Sequence, residues 1–161
     1  MKSEKSKNLD NSIRKKVLLE INQIDKLINE AKPLIILCCQ QEPDFIEKSA
    51  SALLLHSFYN GVENILSIIL KHYNELSFLS EKWHRELLET SFVPTDLRVN
   101  ILDVSIKDQL AEYMSFRHFV RHSYGFQIDW LKMKHLIINL ELTWNKVKAD
   151  IESFLDQKKT L

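Results

Sequence analysis

Apolar residues recur at three- and four-residue steps along most of this chain, the spacing that lines one face of an α-helix. Ile13, Val17, Ile21, Ile24, Leu27, Ile28 and Ala31 follow it and predict a helix over 12–40. Pro33 falls inside that stretch and should kink or divide it, because proline removes a backbone donor and crowds the preceding turn. Glu42-Pro43-Asp44 interrupts the pattern, and Pro43 suits the beginning of a new helix. A second helix over 44–73 is predicted from Ala52, Leu55, Phe58, Val62, Ile65, Ile69 and Leu70. One polar stripe crosses it. His56, Asn60, Glu63 and Ser67 fall within about 60° of one another when each residue turns about 100°. Such a stripe either faces solvent or lines a wet cleft.

Residues 74–104 are the least regular, with a short helix predicted over Trp83–Thr90 and a loop over Ser91–Leu102 that holds Pro94. A third long helix is predicted over 105–124, started by the Ser105 hydroxyl with Asp108 three residues on. Gly125 should close it in the left-handed conformation that suits a C-terminal cap. Leu131, Leu136, Ile138, Leu142, Val147, Ile151 and Phe154 predict a last helix over 128–155. Residues 1–11 are polar and lysine-rich and are expected to be flexible, which leaves 12–157 as one domain.

Composition supports this picture. Only two glycines and three prolines occur in 161 residues. A β-rich chain would need many more turn residues. The expectation is therefore an all-α bundle of four to five main helices. The 22 basic and 22 acidic side chains cancel. Any nucleic-acid binding must then rest on local patches rather than on an overall field. Cys38 and Cys39 are adjacent and point about 100° apart on a helix. They form neither a disulfide framework nor a Cys-x-x-Cys knuckle, and a reducing cytoplasm fits them. The polar N-terminus does not resemble a signal peptide. No apolar run approaches the ~20 residues of a membrane span.

Chemistry-bearing residues concentrate in Arg117-His118-Phe119-Val120-Arg121-His122-Ser123-Tyr124. On a helical wheel Tyr113, Phe116, Phe119 and Val120 cluster as core. His118, Arg121 and His122 spread over the other side, with Arg117 and Tyr124 at the border. The set suits RNA cleavage. A histidine, with a pKa near ~6.5, can take and return a proton near neutrality. An arginine fork matches two phosphate oxygens and stabilises charge that grows in the transition state. Two other readings stand beside this one. Basic residues in a last helical turn also serve the helix dipole. His118 and His122, four apart, could share a metal ion. Zinc wants a third protein ligand, though, and Phe119 stands where the His-Glu-x-x-His motif has its glutamate.

The Arg117…His122-x-Tyr124 spacing resembles the Arg-x-x-x-x-His-x-Tyr signature of the HepT toxins, helical ribonucleases of the HEPN superfamily. Leu55-His56-Ser57-Phe58-Tyr59-Asn60-Gly61-Val62-Glu63-Asn64-Ile65 and Trp83-His84-Arg85-Glu86-Leu87-Leu88 are similar to segments of the longer HepT-like proteins. The resemblance spans roughly residues 12–155. It implies an antiparallel HEPN-type bundle that forms a homodimer, with the motif helices of both chains lining one cleft. It implies a metal-independent endoribonuclease toxin of a type VII toxin–antitoxin pair that cuts cellular RNA, tRNA being a substrate in the family, without a cofactor. Arg117 and His122 would be catalytic and His118 a supporting polar residue; beside these, Glu63 and Asn60 could face the cleft and orient His122 or Arg117, or belong to a solvated stripe. Tyr124 would be the tyrosine to which an MntA-type nucleotidyltransferase antitoxin attaches AMP. Arg121, Lys132 and Lys134 could track the RNA backbone. A HEPN module without catalysis, binding RNA or nucleotide, and a purely structural helical dimer remain alternatives.

Overall fold

α1 (Asn11–Gln40) begins where the Asp10 carboxylate accepts the Ser12 amide, and it continues through Pro33 without dividing. In the computed structural model, which describes residues 9–76 and 81–157, α1 is followed by α2 (Phe45–His72). The flexibility expected of the N-terminus falls outside the described residues up to Asn8. Pro43 lies just before α2, and Asp44 caps it. The Asp44 side chain accepts the Glu47 amide at 2.8 Å, and the Glu47 carboxylate accepts the Asp44 amide at 2.7 Å. This reciprocal pair satisfies two donors that a helix start leaves open.

α1 and α2 are antiparallel. Cys38 Sγ meets Ser51 Oγ at 3.6 Å near their connection. Ile24 meets Gly61 far from it. A methyl group added at Gly61 would stand 2.7 Å from Ile24 Cγ1, so this glycine sets how closely the two helices approach. α2 is the centre of the core, with Phe58, Val62, Ile65, Leu66, Ile69 and Leu70 fully buried. Its apolar window of mean hydropathy 1.2 meets the length and composition of a membrane span, but 61% of that window is buried inside the bundle.

α3 (Trp83–Ser91) is followed by a loop organised by Arg98, whose side chain is 0% exposed. Its guanidinium donates to Glu75 Oε2 at 2.6 Å and to the carbonyls of Thr90, Val93 and Val99 at 3.0 Å each. A 3-10 turn (Val104–Ile106) leads into α4 (Lys107–Arg121). Asp103, not Ser105, caps this entry, its carboxylate accepting the Ser105 amide. α4 packs on α2 through an edge-on contact of Tyr113 with Phe58, centroids 5.2 Å apart.

Several expectations need correction here. α4 stops at Arg121, so Ser123 and Tyr124 lie beyond it. Gly125 is not left-handed; it opens a second 3-10 turn (Gly125–Gln127), fixed by the Tyr124 amide donating to Gln127 Oε1 at 2.8 Å. Phe119 is 38% exposed rather than core, although Tyr113 and Phe116 are buried as expected. The last helix is also two helices, α5 (Trp130–Ile138) and α6 (Leu140–Asp156), separated at Asn139. Among the described residues the bundle therefore has six α-helices instead of four to five, and no strand. α6 closes onto α1. Asp25 accepts from Trp144 Nε1 and Lys148 Nζ, both at 2.7 Å.

Candidate active site

Glu63, one of the few buried charged residues, is 4% exposed at the middle of α2. A carboxylate removed from water needs compensating partners. Two converge on it from other helices. Arg117 Nη1 on α4 lies 3.3 Å from Glu63 Oε1. His84 Nδ1 on α3 lies 2.7 Å from Glu63 Oε2. The His84 ring stacks on Trp83 with centroids 3.6 Å apart. The polar stripe of α2 therefore lines a cleft.

Asn60 and His56, the next members of the stripe, extend the network. Arg117 Nε is a donor, so Asn60 must turn Oδ1 toward it, and the two are 2.5 Å apart. The amide nitrogen of Asn60 then faces His56 Nε2 at 3.0 Å. That ring nitrogen can only accept, which places the His56 proton on Nδ1. Nδ1 is buried without a hydrogen-bond partner among the described residues. Burial first, and then the charges of Arg117 and Arg121, hold the His56 pKa below its ordinary value. Arg117 thus has two of its three nitrogens fixed, leaving Nη2 and the open side of Nη1 for a ligand.

The other side of Arg117 opens on a cavity of about 390 Å³ between α3 and α4. Its wall includes Lys82, His84, Arg85, Arg117, His118 and Arg121. All six carry or can carry positive charge, against one acid, Glu81, on the same wall. The neutral chain therefore has the local basic patch that binding a polyanion requires. His122 sits just past α4, exposed, its backbone amide donating to Phe119 O at 3.1 Å. Its ring meets that of His118 edge-on, centroids 4.8 Å apart. A second cavity of about 390 Å³, on the opposite flank of Arg121, is lined by His56, Val120 and Ser123 among others. Tyr124 follows at 73% exposed.

The structure thus brings Arg117, His118, Arg121, Asn60 and Glu63 together, with His122 against His118. It does not bring in the two lysines. Lys132 lines a separate groove with Phe116 and Phe119, and Lys134 is exposed on α5. Two participants were not assigned from the sequence, His84 and the His56 end of the hydrogen-bond chain. His56 could have been found from its four-residue step to Asn60. His84 lies 21 residues from Glu63 on another helix, and no helical spacing links the two.

An all-α bundle in which the end of α4 carries two arginines and two histidines, with Arg117 braced by the buried carboxylate of Glu63, is the class that fold and site define. Residues 50–158 match the HepT-like protein family, and the chain belongs to it. The match covers α3 to α6 and most of α2, and with them every residue of the network above. No curated protein and no solved structure matches the chain.

Proposed function

We propose that this chain is the toxin of a HEPN/MNT toxin–antitoxin pair, a cytoplasmic, metal-independent endoribonuclease that works as a homodimer on cellular RNA. The observation that carries this reading is the bracing of Arg117. Its side chain is 12% exposed, tied to Asn60 and Glu63, and still lines a basic cavity. A guanidinium fixed before the substrate arrives loses little freedom on meeting a phosphate and needs no reorganisation as charge develops. Arg117 would hold the scissile phosphate through Nη2. His122 would transfer a proton, and His118 would support its ring from the side. Arg121 continues the basic wall along the RNA backbone, with Lys132 and Lys134 farther out on α5.

Regulation by AMP addition fits the position of Tyr124. It follows His122 by two residues and is exposed enough for a nucleotidyltransferase to reach. An adenylate there would bring bulk and negative charge to the place where the RNA phosphate should approach. Dimerisation would bring two such helix ends into one cleft.

The test uses purified protein with total RNA and excess chelator. The reading expects cleavage, products with 2′,3′-cyclic phosphate and 5′-hydroxyl ends, and loss of cleavage in Arg117→Ala and His122→Ala. Intact RNA with the wild-type chain would favour a HEPN module that binds without cutting. Co-expression with an MntA-type nucleotidyltransferase should raise the protein's mass by whole AMP units, and Tyr124→Phe should prevent it.

A further inference from the structure

Cleavage of RNA by its own 2′-hydroxyl moves two protons. One leaves the attacking oxygen, and another reaches the departing 5′-oxygen. His122 can serve one of these transfers. The Glu63–His84 pair has the chemistry for the other. Glu63 is buried and presents Oε2 to His84 Nδ1 at 2.7 Å. A carboxylate accepts only, so Nδ1 carries the proton and donates it to that bond. This fixes the tautomer and ring orientation, and it leaves Nε2 with its lone pair. A buried carboxylate bound to one imidazole nitrogen makes the opposite nitrogen an effective base. The side chain of His84 keeps 27% exposure and lines the same basic cavity as Arg117 and His118.

We propose that His84, oriented by Glu63, is a second catalytic residue and acts as the general base, with His122 as the general acid. This rests on the ribonuclease reading above. As the 2′-oxygen bonds to phosphorus, its proton passes to His84 Nε2. As the bond from phosphorus to the 5′-oxygen breaks, that oxygen takes a proton from His122. One histidine gains the proton that the other loses, and exchange with water restores both. Arg117 Nη1 lies 3.5 Å from His84 Nδ1, so the phosphate-binding guanidinium stands beside the base. The carboxylate of Glu63 therefore does two things, holding the phosphate-binding arginine with one oxygen and orienting the base with the other. Each protomer would then carry its own base beside its own arginine.

The charged groups facing His84 are Glu63 from α2, Arg117, His118 and Arg121 from α4, and Glu81, Lys82 and Arg85 on its own side of the cavity. A general base acts only when unprotonated, so the rise of rate from acid toward neutral pH is its signature.

The experiment compares cleavage of a dinucleotide whose 5′-bridging oxygen is replaced by sulfur with cleavage of its ordinary counterpart. A thiolate leaves without a proton, so the sulfur substrate bypasses the acid but not the base. His122→Gln should be slow on the oxygen substrate and restored toward wild type on the sulfur one. His84→Gln should be slower by on the order of 10²-fold or more on both, the size of one general-base contribution. It should also lose the acidic limb of the pH–rate profile. Glu63→Gln should follow it in part. The ratio of the two substrates does not depend on how much of a variant folds. Restoration of His84→Gln by sulfur, or an unchanged acidic limb, overturns the assignment and leaves the ribonuclease reading intact. A wild-type chain that cleaves neither substrate nor total RNA overturns both.

Discussion

Glu63 Oε1 lies 3.3 Å from Arg117 Nη1, and the two side chains are 5% and 12% exposed. Both charges are largely out of water, so each depends on the other and on the uncharged partners around them. Removing one partner of such a pair strands the other, at a cost of about 3–5 kcal/mol. Glu63→Ala should therefore lower the free energy of unfolding by about 3 kcal/mol, read from urea denaturation, and should reduce RNA cleavage with it. A variant of wild-type stability would show that Arg117 finds an equivalent partner elsewhere.

Tyr59 predicts the opposite sign. It is 0% exposed, and its hydroxyl has no hydrogen-bond partner among the described residues. Burial first, and then the charge of Glu63, push the phenol far above its ordinary pKa. An unsatisfied buried hydroxyl costs about 1–3 kcal/mol. Tyr59→Phe removes the hydroxyl and keeps the ring, so the urea midpoint should rise. A fall would mean that the hydroxyl has a partner.

Arg98 anchors the connection between α3 and α4 with bonds to one carboxylate and three carbonyls. Arg98→Met keeps the stem but leaves those acceptors and Glu75 without it. A loss of about 3 kcal/mol is expected from the stranded carboxylate alone. Hydrogen exchange should quicken first in residues 92–103. Unchanged protection there would contradict the anchor.

His56 gives a pH dependence. The native ring binds a proton less readily than its ordinary value of 6.5. As pH falls through that value, the unfolded chain takes up protons that the native chain does not. The stability linked to this ring is thus complete above about pH 6.5 and is lost progressively below it. His56→Gln should shrink the difference in unfolding free energy between about pH 7.5 and about pH 5.5. An identical difference would mean that His56 is not held neutral.

How far the sequence was readable follows from the range of the interactions. The predicted spans 12–40 and 44–73 fall within a residue of Asn11–Gln40 and Phe45–His72, because long amphipathic periods and the Asp44–Glu47 box are local signals. The break at Asn139 was not readable. Buried Met133, Leu136, Ile137, Leu140, Trp144 and Val147 carry the apolar period straight through it, and no glycine or proline marks it. Phe119 shows the limit of a wheel, which assigns every apolar residue on that side to the core, whereas this ring is 38% exposed beside the groove between α4 and α5. The Arg117 motif was visible in the sequence. Its bracing by Glu63 and Asn60, and the arrival of His84 from α3, depend on contacts between distant segments and needed the fold.

The most direct test of the whole account is cleavage of RNA by the purified chain in excess chelator, with product ends identified, alongside Arg117→Ala. The account predicts fragments ending in 2′,3′-cyclic phosphate and 5′-hydroxyl from the wild-type chain, and none from the variant. Intact RNA with the wild-type chain, or equal cleavage by Arg117→Ala, would contradict it.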